Sequence, residues 1–106
     1  MLFQIKDDMK HHNLKLFKKY FQHVVDGNKR SEIRYNDRDY QIGDIVTLHE
    51  GQQELDGFDY TGRSISARIS YIDDLGCQCG YVNLSLCDVG LLCAEDFNNE
   101  SIQKTN

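Results

Sequence analysis

The sequence predicts an α+β domain that is mostly β: a small, partly closed barrel of about five short strands, with one main amphipathic helix packed against it. Three observations predict this class. Short segments alternate polar and apolar residues, which is typical of half-buried strands. One longer segment repeats its apolar residues at helical spacing. With 106 residues the chain fits one domain, and a curled sheet protects the edges of short strands.

The helix is predicted by five apolar residues at positions i, i+3, i+4, i+7 and i+8. These are Phe17, Tyr20, Phe21, Val24 and Val25. The spacing places them on one face, which we expect to pack on the barrel. Gly27 follows where a helix commonly ends in a left-handed residue, so we expect the helix to stop there.

Alternation predicts the strands. The segments are 12–16, 31–35, 45–50, 64–71 and 81–86. In the second of them, the period of two places Ile33 and Tyr35 towards the core. The same period places Glu32 and Arg34 on the opposite face.

Glycine and polar residues mark the connections between strands. Gly43 and Asp44 predict a tight turn, in which Asp44 bonds backbone amides or steadies the Arg38 side chain. The polar segment 51–62 predicts a loop.

The chain predicts a single domain over residues 11–94. Residues 1–10 form an N-terminal extension in this scheme. The tail 95–106 has too little apolar content to pack, so we expect it to be flexible. No repeat or proline-rich linker indicates a second domain.

Charge limits the classes of function. The net charge of −5 argues against a protein that coats nucleic acid through bulk electrostatics. Residues 1–40 nevertheless hold nine Lys/Arg and six Asp/Glu, a net of +3, whereas residues 41–106 hold three and eleven, a net of −8. The sequence therefore predicts a local anion site built from the first 40 residues.

The sequence predicts a cytoplasmic protein without a membrane partner. The longest apolar run, residues 89–94, is far shorter than the roughly 20 residues that cross a bilayer, and the N-terminus becomes charged too early for a signal peptide. Four cysteines lie within residues 77–93, but their spacing does not match a zinc knuckle or ribbon. We expect unpaired thiols, no metal site and no cofactor.

Charged residues after the helix form the densest cluster of functional groups. Glu32 and Arg34 share a strand face, Lys29 approaches from the preceding turn, and Arg38 follows the strand. These side chains can project into one cleft between helix and barrel. An ordinary solvated strand face is the alternative, and its charge pairs are worth at most about 1 kcal/mol.

The chain also resembles a family. The residues that carry the resemblance are His12, Asn13, Leu14, Lys15, Tyr20, Phe21, Val24, Gly27, Lys29, Glu32, Ile33, Arg34, Asn36, Asp37, Arg38, Tyr40, Gly43, Asp44, Leu48, Glu50, Tyr60–Arg63 and Gly80–Leu84. Over about residues 11–87 they are similar to a small bacterial and phage domain family within the ASCH-related, PUA-like superfamily, often labelled RNA-binding. The resemblance implies a PUA-like β-barrel with a cleft that receives RNA or a modified nucleoside.

Three hypotheses of function follow. The first is a module that binds single-stranded RNA or a nucleotide; its residues are Lys15, Lys29, Glu32, Arg34 and Arg38, with Tyr35 and Tyr60 available to stack on bases. The second is a hydrolase acting on a modified nucleoside, and the third is a non-catalytic protein-interaction module.

An enzyme is the less favoured interpretation. Some ASCH relatives use a Lys followed three residues later by a Thr nucleophile, and here Lys29 is followed by Glu32. A carboxylate can act as a general base but cannot replace that hydroxyl, which leaves Lys29 and Glu32 as an acid/base couple. His12, inside the family pattern, is a candidate ligand-contacting residue whose alternative role is structural.

Overall fold

The computed structural model describes residues 9–93 and Asp96. Residues 9–93 form five strands and one helix in the order β1 His11–Phe17, α1 Lys18–Val25, β2 Ser31–Tyr35, β3 Ile45–Glu54, β4 Gly57–Asp73 and β5 Tyr81–Cys87. Within this range, the mostly β class, the five strands and the one main helix are confirmed. The tail prediction, apart from Asp96, and the first eight residues of the predicted extension lie outside the described residues.

The strands form one sheet in the order β1-β3-β4-β5-β2. β1 and β3 are parallel, and all other neighbours are antiparallel. Over residues 9–93, β1 and β2 are the two edges and do not pair, so the sheet is not closed and the predicted barrel is not confirmed. Two arginines of the β2 region still reach the other edge, because Arg34 Nη2 donates to the Lys15 carbonyl at 2.5 Å and Arg38 Nη1 to the Asn13 carbonyl at 2.9 Å.

The core lies on the inner face of the sheet, beneath the helix. Its largest fully buried side chains include Phe21 and Val24 of α1, Leu48 of β3, Ile69 of β4 and Leu84 of β5. The prediction that Phe21 and Val24 pack on the sheet is confirmed. The predicted apolar face of the helix was too wide, because three of its five residues are exposed: Phe17, Tyr20 and Val25.

The helix begins one residue later than predicted, because Phe17 is still the last residue of β1. Its end agrees with the prediction. Gly27 has a φ of +80°, and its amide donates to the Val24 carbonyl, as expected of a glycine that terminates a helix.

The predicted loop over 51–62 is wrong. β3 continues through Glu54, and β4 begins at Gly57, so most of this segment is a two-stranded arm. Gly51 is essential to its packing, since a Cβ there would stand 2.2 Å from the Phe58 ring and 2.6 Å from a backbone carbonyl oxygen.

The predicted face of β4 is correct only as far as its bulge. Ala67 and Ile69 are buried, as expected, but the register against β5 shifts between Ile69 and Tyr71. The shift turns Tyr71 outward, with 56% of its surface exposed.

The faces of β2 are the reverse of the prediction. Glu32 is 6% exposed, whereas Ile33 and Tyr35 are 61% and 56% exposed. The alternation is present, but the charged residues point inward. Lys29 and Arg34 lie beside Glu32 and provide the opposite charges that such burial requires.

A carboxylate on β3 ties the helix to the sheet. Glu50 accepts hydrogen bonds from Arg63 Nε at 3.0 Å and Thr61 Oγ1 at 2.7 Å, while Arg63 Nη2 donates to Gln22 of α1. The Arg63 guanidinium also lies 4.7 Å from the centre of the Phe21 ring. The hydrogen bonds from Arg63 and then Thr61 hold the pKa of Glu50 below its ordinary value of 4.5.

This lowered pKa predicts an acid-sensitive contribution to stability. The contribution is complete above the unfolded-state pKa and is lost as the pH falls through the lower folded-state pKa. We expect Glu50→Gln to be less stable than wild type at neutral pH, with a difference that narrows as the pH falls below 4.5, the ordinary pKa of this carboxyl. Denaturant unfolding across this range measures it, with exposed Glu54→Gln as the control. A difference that does not change with pH would contradict the assignment.

Within the described residues, no helix is long and apolar enough to span a bilayer. Cys77, Cys79, Cys87 and Cys93 are free thiols.

Candidate functional site

A groove runs along the outer side of the gap between the edge strands β1 and β2. It has two compartments of about 540 and 440 Å³, which share Lys15 and Arg34. The polar compartment is lined mainly by Asn13, Lys15, Arg34, Arg38, His49 and Tyr60. The aromatic compartment is lined mainly by Phe17, Tyr20, Glu32, Tyr35, Phe58 and Tyr81.

The polar compartment is cationic. Lys15, Arg34 and Arg38 line it, and no carboxylate does so in the described part of the chain. The exposed edge of β1 holds the two arginines through the Lys15 and Asn13 carbonyls. Because a guanidinium has five N–H donors, each arginine keeps donors for an anion in the groove.

His49 belongs to this compartment and was not predicted as a site residue. The parallel register sets His49 opposite Lys15, and its Nε2 lies 2.9 Å from Asn13 Oδ1. In that contact the imidazole donates, since an amide oxygen can only accept. The Tyr60 ring stands edge-on to His49, with ring centres 6.3 Å apart.

Aromatic rings form the walls of the second compartment. Phe58 stacks on Phe17 with ring centres 6.1 Å apart and meets the edge of Tyr60 at 5.0 Å. On the β2 side, Tyr35 and Tyr81 form an edge-to-face pair at 5.4 Å. Tyr35 and Tyr60 were predicted as stacking residues, and the structure places both in the groove. The sequence analysis missed the roles of Phe17, Phe58 and Tyr81, because the pairing of their strands brings these rings to the groove.

Glu32 forms the inner wall of the aromatic compartment. Arg34 Nε lies 3.5 Å from Glu32 Oε1, and Lys29 Nζ lies 3.5 Å from Oε2. Oε2 is screened from water and has no hydrogen-bond partner among the described residues. Because a water-sized group does not reach this atom, Glu32 is a structural part of the wall, and the Lys29 and Arg34 cations compensate its buried charge.

Lys29, in contrast, does not line the groove. Its ammonium donates to the Ser31 carbonyl and lies 5.8 Å from the Tyr20 ring centre. The predicted cleft therefore brings Glu32, Arg34 and Arg38 together, with Lys29 behind Glu32.

The turn residues have structural roles. Gly43 has a φ of +100° and begins the predicted turn. Asp44 accepts hydrogen bonds from the amides of Lys10 and Gln41, and its Oδ2 lies 2.7 Å from His12 Nε2. Asp44 does not contact Arg38, so that predicted alternative is wrong.

His12 is buried beneath the sheet edge rather than in the groove. Its exposed fraction is 6%, and it lies beside Asp44 and edge-on to Tyr40. Burial raises the pKa of Tyr40. The structural alternative for His12 therefore fits the geometry, and a direct ligand contact does not.

Side chains of the types that can ligate a metal do not cluster in the described part of the chain. Over residues 9–93 and Asp96, no three His, Cys, Asp or Glu side chains are grouped so that they could hold a metal ion. Burial raises the pKa of the Cys87 thiol, which makes it less reactive.

A known protein family matches most of this chain. The family described as "Domain of unknown function (DUF3850)" matches residues 11–86. The chain belongs to the DUF3850 family. All five strands fall within the match except the last residue of β5, and so does every groove residue named above. The groove is thus built within the DUF3850 domain.

A phage protein is also similar to this DUF3850 chain. It is the "Uncharacterized 12.9 kDa protein in GpA 3'region" of Escherichia phage P2. The two are 46% identical over 64 residues, which cover 60% of this chain and 55% of the phage protein. The chain therefore spans about half the length of this relative.

Proposed function

We propose that this domain binds a nucleotide or a short segment of single-stranded RNA in the groove between β1 and β2. One observation carries the proposal: a compartment with three cations adjoins a compartment lined by aromatic rings. Phosphate binds to Arg and Lys donors, and unstacked bases bind to aromatic faces. The groove offers both within one continuous surface.

The surroundings favour a short contact. The net charge is −5, and the tip of the β3–β4 arm carries Glu54, Asp56 and Asp59. These carboxylates repel a phosphate backbone that extends past the groove. Contact is therefore limited to a few phosphates, and the affinity has a shallow salt dependence.

Arg38→Ala tests the cationic compartment. We expect this variant to bind labelled single-stranded oligonucleotides several-fold more weakly and to lower the log-affinity versus log-salt slope by about 0.7–1. Arg38 is half-exposed, so its removal leaves the core intact. Fluorescence titration at several salt concentrations measures both quantities. Tyr60→Ala should weaken binding without changing the slope, because it removes stacking and no charge.

Lys18→Ala is the matched control, since it removes an exposed cation on α1 that does not line the groove. Equal losses for Arg38→Ala and Lys18→Ala would indicate unspecific attraction. The absence of binding to any oligonucleotide or nucleotide by folded protein would overturn the proposal and favour the protein-interaction alternative.

The barrel is part of the same proposal. We propose that the domain is PUA-like and related to ASCH domains. In this proposal β1 and β2 are the neighbouring edges of an incompletely closed barrel, and Arg34 and Arg38 bridge the gap between them. The hydrogen bonds from these arginines to β1 support this interpretation. The hydrolase alternative is weaker, because Lys29 lies outside the groove and cannot exchange a proton with a ligand there.

A further inference from the structure

Two arginines of the polar compartment are positioned to contact the same anion. Arg34 and Arg38 donate to the Lys15 and Asn13 carbonyls, which lie two residues apart on β1 and hence about 6–7 Å apart along the strand. The arginine side chains are 23% and 45% exposed, so donors beyond those bonds stay accessible. Both line one compartment, and guanidinium groups at this spacing can flank a single phosphate.

The compartment keeps an excess of positive charge after its ion pairs are counted. Glu32 lies between Arg34 and Lys29, so these three groups retain one positive charge. Lys15 adds a second, because its ammonium pairs with no carboxylate in the described part of the chain and lies instead 5.4 Å from the centre of the Phe58 ring. Together they leave a charge of about +2 for a ligand to neutralise.

Carboxylates lie at the end of the groove that is remote from the aromatic compartment. Asp37 lies 3.8 Å from Arg38 Nε, and Asp39 pairs with Lys10, which precedes β1. These two pairs add no net charge, and both carboxylates are more than half exposed. The aromatic compartment lies in the opposite direction, along residues 15–17 of β1. A second phosphate beyond the polar compartment therefore meets negative charge.

A phosphomonoester fits this arrangement better than a phosphodiester. The monoester carries a charge of about −1.5 to −2 at pH 7, because its second pKa is about 6, and it offers three acceptor oxygens. Each internal phosphate of a strand carries a single charge. A diester in the compartment would leave positive charge uncompensated, and its second ester bond would continue the strand towards the carboxylates or back over the aromatic rings.

We infer that the polar compartment takes a terminal phosphate, the monoester of a free nucleotide or of a strand end, with the attached base in the aromatic compartment. The inference rests on the proposed function and adds the class of phosphate. Lys15 lines both compartments, and its ammonium lies near the Phe58 ring. It is therefore placed to contact the phosphate next to a stacked base.

Calorimetric titration of the full chain with UMP, the methyl ester of UMP and uridine tests the inference. The three ligands share one base and differ in the charge of the phosphate. We expect UMP to bind about tenfold more tightly than its methyl ester at about pH 7.5, the usual gain from a further charge-assisted hydrogen bond. The ratio should approach one at about pH 5, because UMP takes up its second proton below about pH 6 and the ester does not.

Single strands of one sequence identify the source of the monoester. One strand carries a 5′-phosphate, one a 3′-phosphate, and one a hydroxyl group at both ends. We expect the strand with the recognised phosphate to bind about tenfold more tightly than the strand without one. A gain at neither end, together with the preference for UMP over its ester, would assign the site to free nucleotides.

Lys15→Gln tests the residue, since it removes the unpaired cation and keeps the carbonyl that accepts from Arg34. We expect the ratio of UMP to methyl-ester affinity to fall by about two- to fivefold, the range for one accessible charge contact. Lys18→Gln is the matched control. It removes an exposed cation on α1 outside both compartments and should keep the wild-type ratio.

The outcomes separate the two proposals. Equal affinities of UMP and its methyl ester at about pH 7.5 would overturn the terminal-phosphate site and leave the proposed function standing. A preference for UMP that persists unchanged at about pH 5 would also overturn it, because the size of the methyl group and not the charge would then be the cause. No binding of any nucleotide or oligonucleotide would overturn both proposals.

Discussion

Asp44→Ala lowers the free energy of unfolding by about 3–5 kcal/mol, because it removes the common acceptor of three hydrogen bonds and each polar group left unsatisfied on burial costs about 1–3 kcal/mol. Asp44 is 1% exposed and lies 2.7 Å from His12, which is itself buried. The substitution leaves the imidazole and the amides of Lys10 and Gln41 without their acceptor. Denaturant unfolding of wild type and variant measures the loss.

Asp37→Ala is the control for that experiment. Asp37 pairs with Arg38 at the surface, and its carboxylate is 60% exposed, so its removal should change stability far less than the removal of Asp44. If Asp44→Ala kept wild-type stability and lost nucleotide binding, Asp44 would belong to the site and its structural role would be wrong.

The alternation of apolar residues was sufficient to predict strands that bury one face. In β4 and β5, apolar residues alternate, and the structure buries Ala67, Ile69, Leu84 and Leu86. The arm over 51–60 escaped the same analysis because most of its residues are exposed on both faces. A strand without a buried face has no hydrophobic alternation to detect.

Alternation also does not reveal which face is inside. In β2 the period of two is present, but Glu32 is buried and Ile33 exposed. The Glu32 carboxylate can be buried because Lys29 and Arg34 provide the compensating charges. That compensation depends on positions that only the folded chain defines.

Only some residues of the candidate site could be predicted from the sequence. The basic half was predictable, since charge asymmetry directs attention to the first 40 residues and hence to Lys15, Arg34 and Arg38. His49 and Phe58 were not, because the pairing of β1, β3 and β4 carries them to the groove. A parallel pairing between β1 and β3, across an intervening helix and strand, has no local sequence signal.

Phe21→Ala is expected to cost about 3–5 kcal/mol of stability, the range for truncating a buried phenylalanine. Phe21 is 2% exposed and joins the core cluster beneath the sheet. Truncation leaves a cavity between α1 and the sheet, and it removes the ring on which the Arg63 guanidinium lies. Thermal and denaturant unfolding measure the loss.

Tyr20→Ala, one position earlier on the same helix, separates burial from helix propensity. Tyr20 is 39% exposed, so its truncation should cost clearly less than that of Phe21. Both variants replace an aromatic residue by alanine, which favours the helix equally in the two cases. Equal losses, or a loss below about 1 kcal/mol for Phe21→Ala, would mean that α1 is not held by this side chain.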